Sequence, residues 1–233
     1  MSGSTAARGR RPKHYVAPAD PVLQTIHRSI AAYYSERVRR FGATPAGVDW
    51  TCVASQHMRF VQLVRLCSES VRFSLNDLGC GHGALLALLE ERYAGRTVDY
   101  LGVDLSAAMV WRARRQWRGY DGIRFVEGSI APRQADYAVA SGLFNVSLDH
   151  PIAVWEAFIG ATLGGLAATS RQGFAVNFLL PPPPGLRAKP GLYTTAPEPW
   201  AEYCRRCFNA EIETIGDYGL REFTLIVRPE ARH

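Results

Sequence analysis

A glycine-rich stretch at residues 76–83 constrains this chain most, because it lies where an apolar strand pattern changes into a helical one. The stretch reads Asn-Asp-Leu-Gly-Cys-Gly-His-Gly, and a helical pattern follows it over residues 84–93. Glycines let a backbone turn tightly and approach a ligand closely. In open α/β sheets, ligands bind at the carboxyl ends of the strands. The stretch therefore predicts a ligand site between a first strand and the helix after it.

Strand-length apolar runs alternate with helical patterns through most of the chain. Strands are predicted at 71–78, 98–103, 123–127, 137–140 and 173–179, with helices at 84–93, 106–117, about 151–163 and about 200–208. This alternation predicts an α/β fold with a doubly wound, mostly parallel sheet and helices on both faces. Two last strands, at 212–215 and 223–227, predict a closing hairpin. The expected sheet thus has seven strands and a terminal antiparallel strand.

Two helical patterns precede the first strand, over residues 20–41 and 55–67, with apolar residues spaced by three and four. They predict an N-terminal helical cap at 20–69 in front of a Rossmann-like domain at 70–233. Residues 1–19 read as a disordered basic tail, since they are small and polar and contain Arg8, Arg10, Arg11 and Lys13. These four account for four of the six net positive charges, so the remainder is only mildly basic.

Composition also bounds the location and the metal content of the chain. No apolar run reaches the roughly 18–20 residues that a membrane span needs, and none follows the N-terminal arginines as in a signal peptide. We therefore expect a cytoplasmic protein without a membrane partner. The five cysteines are expected to be reduced thiols. Cys204 and Cys207 form a C-x-x-C without a second ligand pair, so no metal site is predicted.

An acidic residue, Asp104, ends the second predicted strand, 25 residues after Gly79. A carboxylate in this place can accept hydrogen bonds from both ribose hydroxyls of an adenosine group. Gly79, Gly81 and Ala84 also satisfy the dinucleotide pattern G-x-G-x-x-A, which leaves a nicotinamide-dependent oxidoreductase as an alternative. Asp77 weighs against it, because a carboxylate beside the glycines suits a cationic ligand better than a pyrophosphate.

Four segments together resemble the motifs of class I S-adenosylmethionine (SAM)-dependent methyltransferases. Residues 77–83 resemble the first motif, D-x-G-x-G-x-G, and residues 102–109 resemble the second, G-x-D-x-S-x-x-M. Residues 125–130 resemble the third motif, and 136–142 the fourth strand. The likeness covers about residues 70–228. It departs from the family at Ser129, where the third motif usually carries an acid.

This resemblance implies SAM as the cofactor and methyl transfer as the activity. It implies that Asp77 and the glycines line the methionine half of the cofactor, that Asp104 binds the ribose, and that Leu105 and Ile130 enclose the adenine. Ser141 would lie near the sulfonium through its backbone. The cofactor-binding residues implied in all are Asp77, Gly79, Cys80, Gly81, Asp104, Leu105, Met109, Ser129, Ile130 and Ser141.

The acceptor site is expected at the ends of strands four to seven, beneath the N-terminal helices. The substrate-binding candidates are Trp50, Phe144, Asn145 and Asn177. His150 is the general-base candidate by its chemistry, although Asp149-His150-Pro151 also makes a good helix start.

Three further residues have two interpretations each. Asp217 and Tyr218 lie in the last hairpin turn, which is predicted to face the site, but Asp-Tyr-Gly is also common turn chemistry. Arg59 could bind the cofactor's carboxylate, or it could lie on a solvated helix face.

The acceptor itself is predicted to be a small molecule. Amino-directed base methyltransferases carry an N/D-P-P-aromatic motif after strand four, whereas this chain has Ser141-Gly142-Leu143-Phe144 there, so nucleic acid is disfavoured. The long loop at 180–199 is interpreted as a cover for a small substrate. Two alternatives stay open: methylation of a protein, and a regulatory protein that binds SAM without transferring its methyl group.

Overall fold

A seven-stranded sheet forms the centre of the computed structural model, which describes residues 20–48, 52–67, 70–187 and 189–230. Its strands are β1 (Arg72–Leu78), β2 (Thr97–Asp104), β3 (Ile123–Glu127), β4 (Ala135–Ala140), β5 (Ser170–Leu179), β6 (Ala210–Ile215) and β7 (Glu222–Pro229). They are ordered β3-β2-β1-β4-β5-β7-β6. The β7 strand runs antiparallel to β5 and β6, and the other pairs are parallel. This topology confirms the predicted fold class.

Six α-helices surround the sheet in the described residues: α1 (Pro21–Phe41), α2 (Val53–Leu63), α3 (Leu85–Arg92), α4 (Ala107–Gln116), α5 (Ile152–Thr169) and α6 (Pro197–Phe208). The α5 helix runs six residues beyond its predicted end at 163. The pair Gly164-Gly165 suggested that end, since glycine disfavours helix interiors. Burial of Leu163 and Leu166 against the sheet continues the helix through the glycines, so tertiary packing outweighs the local propensity.

The α1 helix packs on the same face of the sheet as α5. The linker at 128–134 contains no helix. Ile26 and Ile30 of α1 are buried in the same cluster as Phe158 of α5 and Val103 of β2, so α1 packs beside α5. On the opposite face, Phe60 of α2 joins the second cluster. The boundary between a cap at 20–69 and a domain at 70–233 stays a prediction, and the tail at 1–19 lies outside the described residues.

The α5 helix is long and apolar enough to meet the criteria for a membrane span. Its Trp155, Ile159 and Leu163 are nevertheless fully buried within the core, as in a helix that packs on a sheet. On α6, Cys204 is buried and Cys207 is exposed, and both are free thiols. Within the described ranges, no three His, Cys, Asp or Glu side chains are grouped in a way that could hold a metal ion.

Candidate cofactor and acceptor site

The glycine loop after β1 is held against the end of β2 by backbone hydrogen bonds. The amides of Gly79 and Cys80 donate to the Val103 carbonyl over 2.8 and 3.2 Å. Gly79 and Gly81 have φ of +73° and +55°, in the left-handed region that favours glycine. A Cβ atom at Gly79 would lie 2.7 Å from Leu143 Cδ1, so the residues after β4 approach this loop closely. The loop therefore lies between the ends of β2 and β4.

Asp104 joins this loop to the start of α4. Its Oδ2 accepts a hydrogen bond from the Gly81 amide at 2.8 Å, and its Oδ1 accepts one from the Ser106 amide at 2.8 Å. Ser106 is the N-cap of α4, and its hydroxyl accepts from the Met109 amide at 3.2 Å. Ser35 of α1 lies 2.7 Å from the same hydroxyl. A carboxylate can accept about four hydrogen bonds, so Asp104 keeps acceptor capacity for a ligand.

Two carboxyl groups lie at this edge of the sheet, that of Asp77, which is buried, and that of Asp104, which is half-buried. Burial raises the pKa of Asp77 to about 7, the Asp104 charge adds to this rise, and a 2.6 Å hydrogen bond from the Tyr100 hydroxyl opposes it. Burial raises the pKa of Asp104 to about 6 against its two backbone amide donors. Neither carboxylate forms an ion pair within the described part of the chain. A cationic ligand here would favour the ionised form of both.

A cavity opens above the carboxyl ends of β1, β2 and β4. Its lower wall comes from the strand ends and the start of α4: Asp77, Leu78, Gly79, Cys80, Gly81, His82, Ala84, Asp104, Leu105, Met109, Gly128, Ser129, Ser141, Gly142 and Leu143. The rest comes from the N-terminal segment and α5: His27, Ile30, Tyr34, Val48, Gln56, Phe60, Phe158 and Thr162.

These residues fit the cofactor that the sequence resemblance implies. The two carboxylates suit the ammonium and sulfonium charges of SAM, and Asp104 can accept from ribose hydroxyls. The Ser141 hydroxyl is buried and has no hydrogen-bond partner in the described residues, as expected for a group that a ligand completes. Leu105 and Met109 provide apolar surface for a nucleobase. Of the predicted cofactor-binding residues, Ile130 lies outside the wall and packs towards Gly165 of α5.

Arg59 lies in a buried ion pair and not in the cavity wall. Its Nε donates to Glu222 Oε2 at 2.6 Å, and its Nη2 donates to Glu222 Oε1. Two nitrogen atoms of the guanidinium thus bind Glu222, and a contact between Arg59 and the cofactor's carboxylate stays a prediction. Gln56 and Phe60, its neighbours on α2, line the cavity instead.

The predicted substrate-binding residues also lie behind the cavity wall where they are described. Phe144 is buried and stacks on Phe178 with ring centres 5.1 Å apart. Asn145 is buried, and its carbonyl accepts from the Tyr193 amide at 2.9 Å. Asn177 is fully buried and donates to Glu222 at 2.8 Å. Trp50 lies outside the described residues.

None of the three catalytic candidates lines the cavity wall. His150 Nε2 lies 2.8 Å from Ser29 Oγ, and its ring stacks on Trp155. Asp217 is exposed, with φ of +54° in the turn before β7. The Tyr218 hydroxyl lies 3.3 Å from Thr224 Oγ1, and burial raises the pKa of Tyr218 to about 12. Catalytic roles for these residues stay predictions.

Comparisons with known proteins place the chain in a family. Residues 76–159 match a family model described as "Methyltransferase domain". The chain is 40% identical over 165 residues to Rv1506c of Mycobacterium tuberculosis (strain ATCC 25618 / H37Rv), a protein assigned as a methyltransferase by inference. The match spans 71% of this chain and 98% of that protein. The chain belongs to the class I SAM-dependent methyltransferases. This assignment replaces the nicotinamide oxidoreductase alternative.

Solved methyltransferases share the fold at low sequence identity. Magnesium protoporphyrin IX methyltransferase from Synechocystis PCC 6803, with bound S-adenosylhomocysteine (SAH), aligns with a TM-score of 0.62 at 16% identity, over 89% of this chain and 99% of that one. The DhpI–SAH complex gives 0.59 at 17% identity, over 90% and 99%. Human N-acetylserotonin methyltransferase with SAM gives 0.60 at 20% identity, over 92% and 60%. SAM is the cofactor of this fold family.

The methyltransferase cavity includes side chains that sequence reasoning missed. His27, Ile30 and Tyr34 face it from α1 at spacings of three and four, a pattern that indicates one helix face. The sequence could show that face but not whether it covers a core or a ligand. Burial lowers the pKa of His27, so its imidazole is neutral in neutral solution. Gln56 and Phe60 stand beside Arg59 in the segment already singled out, and only the fold shows which of the three reach the cavity.

The affinity of this methyltransferase for SAM should fall as the solution is acidified. Asp77 and Asp104 have pKa values of about 7 and about 6, and a cationic ligand binds their ionised forms best. Between pH 8 and pH 5.5 we expect a loss of affinity of at least about tenfold, measured by calorimetric titration. The Asp77→Asn variant should keep only the dependence below about pH 6, where Asp104 titrates. An affinity that is flat over this range would contradict the assignment of both carboxyl groups.

Proposed function

We propose that this methyltransferase transfers the methyl group of SAM to a small-molecule acceptor. The observation that carries the proposal is the shared cavity, in which the predicted cofactor-binding strand ends and the N-terminal helices form one wall. Asp77 and Asp104 line its floor, and Tyr34 and Phe60 line it from α1 and α2. An acceptor must reach the methyl group inside this space, which suits a molecule of drug or metabolite size.

The loop predicted to cover the substrate supports this proposal through its contacts. Val146 and Leu192 form an isolated β-bridge, and the Tyr193 amide donates to the Asn145 carbonyl at 2.9 Å. The Tyr193 hydroxyl also donates to Glu156 at 3.1 Å. The loop is therefore fastened to the segment between β4 and α5, at the same edge of the sheet as the cavity. None of the described loop residues lines the cavity itself, so a cover formed by this loop would lie outside the cavity wall.

The charges of the cavity suggest which acceptors it favours. Its lining, as far as the chain is described, contains the carboxyl groups of Asp77 and Asp104 and no lysine or arginine. The remaining polar side chains include Gln56, Thr162 and the neutral imidazole of His27. An anionic acceptor would be repelled here, so an uncharged or cationic one is expected. Two proteins of the same fold are named for methylation of protoporphyrin and of N-acetylserotonin, which agrees with a small acceptor.

The residues of this chain contribute binding and alignment to the reaction. SAM supplies an electrophilic methyl group on a positively charged sulfur. Asp104 would orient the ribose and Asp77 the cationic end, which holds the methyl carbon in one place. The N-terminal helices would exclude water and keep the acceptor nucleophile in line with the carbon–sulfur bond. His27 could accept a proton from an acceptor hydroxyl, since its ring is neutral and lines the cavity.

The test combines a binding and a transfer experiment. We expect calorimetric titration to show micromolar binding of SAH and none of NAD or NADP. We then expect methyl-labelled SAM to transfer its label to the small-molecule fraction of a cell extract. Label in the protein or nucleic-acid fraction alone would contradict the small acceptor. Binding of SAH without label in any fraction would favour the regulatory alternative.

A further inference from the structure

A buried chain of polar side chains connects α2 with the cavity wall. Arg59 on α2 donates to Glu222, the first residue of β7, through two nitrogen atoms. Glu222 Oε2 accepts from Asn177 Nδ2 at 2.8 Å, and Asn177 Oδ1 accepts from the Gly142 amide at 2.7 Å. Arg59, Asn177 and Glu222 are 7%, 0% and 1% exposed. Gly142 and its neighbour Ser141 line the cavity, so this series of hydrogen bonds ends at the cavity wall.

The order of donors and acceptors fixes the Asn177 amide. A carboxylate only accepts hydrogen bonds, so Glu222 must face the amide nitrogen of Asn177. The amide oxygen is then directed towards the Gly142 N–H. Arg59 offsets the charge of Glu222, which would otherwise be buried without a partner. Each of the three side chains, Arg59, Glu222 and Asn177, is thus needed to orient the next.

This orientation decides where the Ser141 carbonyl points. The peptide bond between Ser141 and Gly142 is planar and trans, so its N–H and C=O point in opposite directions. The Gly142 N–H points to Asn177 on β5. Because β4 lies between β5 and β1, the Ser141 carbonyl points away from β5, towards the end of β1 and the glycine loop. Leu143, two residues on, contacts Gly79 of that loop, which shows how close the two segments are.

The sulfur of SAM joins the methionine half of the cofactor to the ribose. With Asp77 and Gly79 beside the methionine half and Asp104 at the ribose, the sulfur would lie between them and near Ser141, as the resemblance implies. This placement rests on the cofactor arrangement used in the proposed function. A carbonyl dipole that is already oriented towards a positive sulfur needs no reorganisation when the ligand binds.

We propose that Arg59, Glu222 and Asn177 are positioning residues that hold the Ser141 carbonyl towards the sulfonium. Through this carbonyl they favour SAM, with its charged sulfur, over SAH, whose sulfur is a neutral thioether. The same hydrogen bonds fix α2 to the segment at Ser141 and Gly142. The α2 helix also carries Gln56 and Phe60, which line the cavity. The three positioning residues do not line the cavity themselves.

The experiment compares the affinities of the full-length protein for SAM and SAH by calorimetric titration. In Asn177→Ala the Gly142 N–H loses its acceptor and the Ser141 peptide is no longer fixed. We expect the preference for SAM over SAH to fall by about tenfold, because the lost interaction involves only the charged sulfur. Equal weakening of both ligands, or no change in either, would overturn the proposal, since a role limited to packing affects the two alike.

Asn76→Ala is the matched control. Asn76 lies on β1, is 1% exposed and does not line the cavity. Its Nδ2 donates to the Arg133 and Thr169 carbonyls at 3.2 and 3.1 Å. We expect its ratio of SAM to SAH affinity to equal that of the wild type, and a ratio that falls as in Asn177→Ala would overturn the proposal.

A milder variant keeps the test open if Asn177→Ala does not fold. Arg59→Met/Glu222→Gln removes both buried charges together, and its glutamine amide, which donates as well as accepts, no longer dictates which end of the Asn177 amide faces it. Its SAM preference should fall in the same direction, and an unchanged ratio would overturn the proposal. Wild-type protein that binds neither ligand would instead contradict the cofactor placement on which the proposal rests.

Discussion

Replacing Asp104 by alanine is expected to weaken SAH binding by at least about a hundredfold. The two ribose hydroxyls of SAH would lose their charged acceptor, and each such hydrogen bond contributes roughly 1.5–3 kcal/mol. The carboxylate lies at the end of β2, where its oxygens accept from the Gly81 and Ser106 amides at 2.8 Å. Alanine removes the ribose acceptors and also frees the glycine loop from the start of α4. Calorimetric titration with SAH measures the loss directly.

Asp99→Ala provides the control on the same strand. Asp99 forms ion pairs with Arg124 and Arg133 at 3.2 and 2.6 Å, and it does not line the cavity. Its affinity for SAH should match that of the wild type. The assignment of Asp104 would be wrong if Asp104→Ala bound SAH as tightly as Asp99→Ala does.

The stability of an Asp104→Asn variant separates binding from folding. Burial raises the pKa of Asp104 to about 6 in the folded protein, above the value near 3.9 of an unfolded chain. The stability that this group contributes is therefore fully present below about pH 4 and is lost as pH rises through about 6. Between about pH 4 and pH 8 the stability of the wild type should fall relative to that of the asparagine variant, which does not titrate at this position, and chemical denaturation at the two pH values measures the change. The variant should bind SAH poorly at both pH values, since its amide nitrogen would face the N–H of Gly81 or Ser106. A residue that costs stability and supports binding is typical of a functional site.

The glycine loop and Asp104 were predictable because their signals are local. Gly79 and Gly81 adopt positive φ, which few other residues tolerate, so the sequence itself records the turn. Asp104 follows a run of strand residues at a fixed distance from the glycines, and the strand order then brings the two segments together. Backbone conformation and connectivity suffice to predict this half of the site.

The other half depends on contacts between distant segments. Arg59 and Glu222 are 163 residues apart in the chain, so no local pattern indicates that the guanidinium is already paired. Phe144 lies four residues after the end of β4 and Asn177 lies on β5, but proximity to a strand end does not decide which neighbours a side chain contacts. Phe144 turns into the core towards Phe178, and Asn177 turns towards Gly142. The sequence spacing of His27, Ile30 and Tyr34 indicated one face of a helix, but only the fold shows that this face lines the cavity.

Breaking the buried ion pair between Arg59 and Glu222 is expected to have the largest effect on stability. Arg59→Met should lower the free energy of unfolding by about 3–5 kcal/mol, because it leaves the Glu222 carboxylate buried without a cation. Asn177 alone would remain as its partner among the contacts described above. Chemical denaturation followed by circular dichroism measures the change.

The double variant Arg59→Met/Glu222→Gln should recover most of this loss. It removes both charges, and the new glutamine side chain keeps an acceptor for the Asn177 amide, so no buried charge is left without a partner. The matched surface pair is Arg65 and Glu213, 3.1 Å apart with side chains 47% and 41% exposed. Arg65→Met should cost less than about 1 kcal/mol, since solvent screens that pair. If Arg59→Met cost no more than Arg65→Met, the buried pair would not be what holds α2 to β7, and α2 would have to be anchored by its apolar contacts alone.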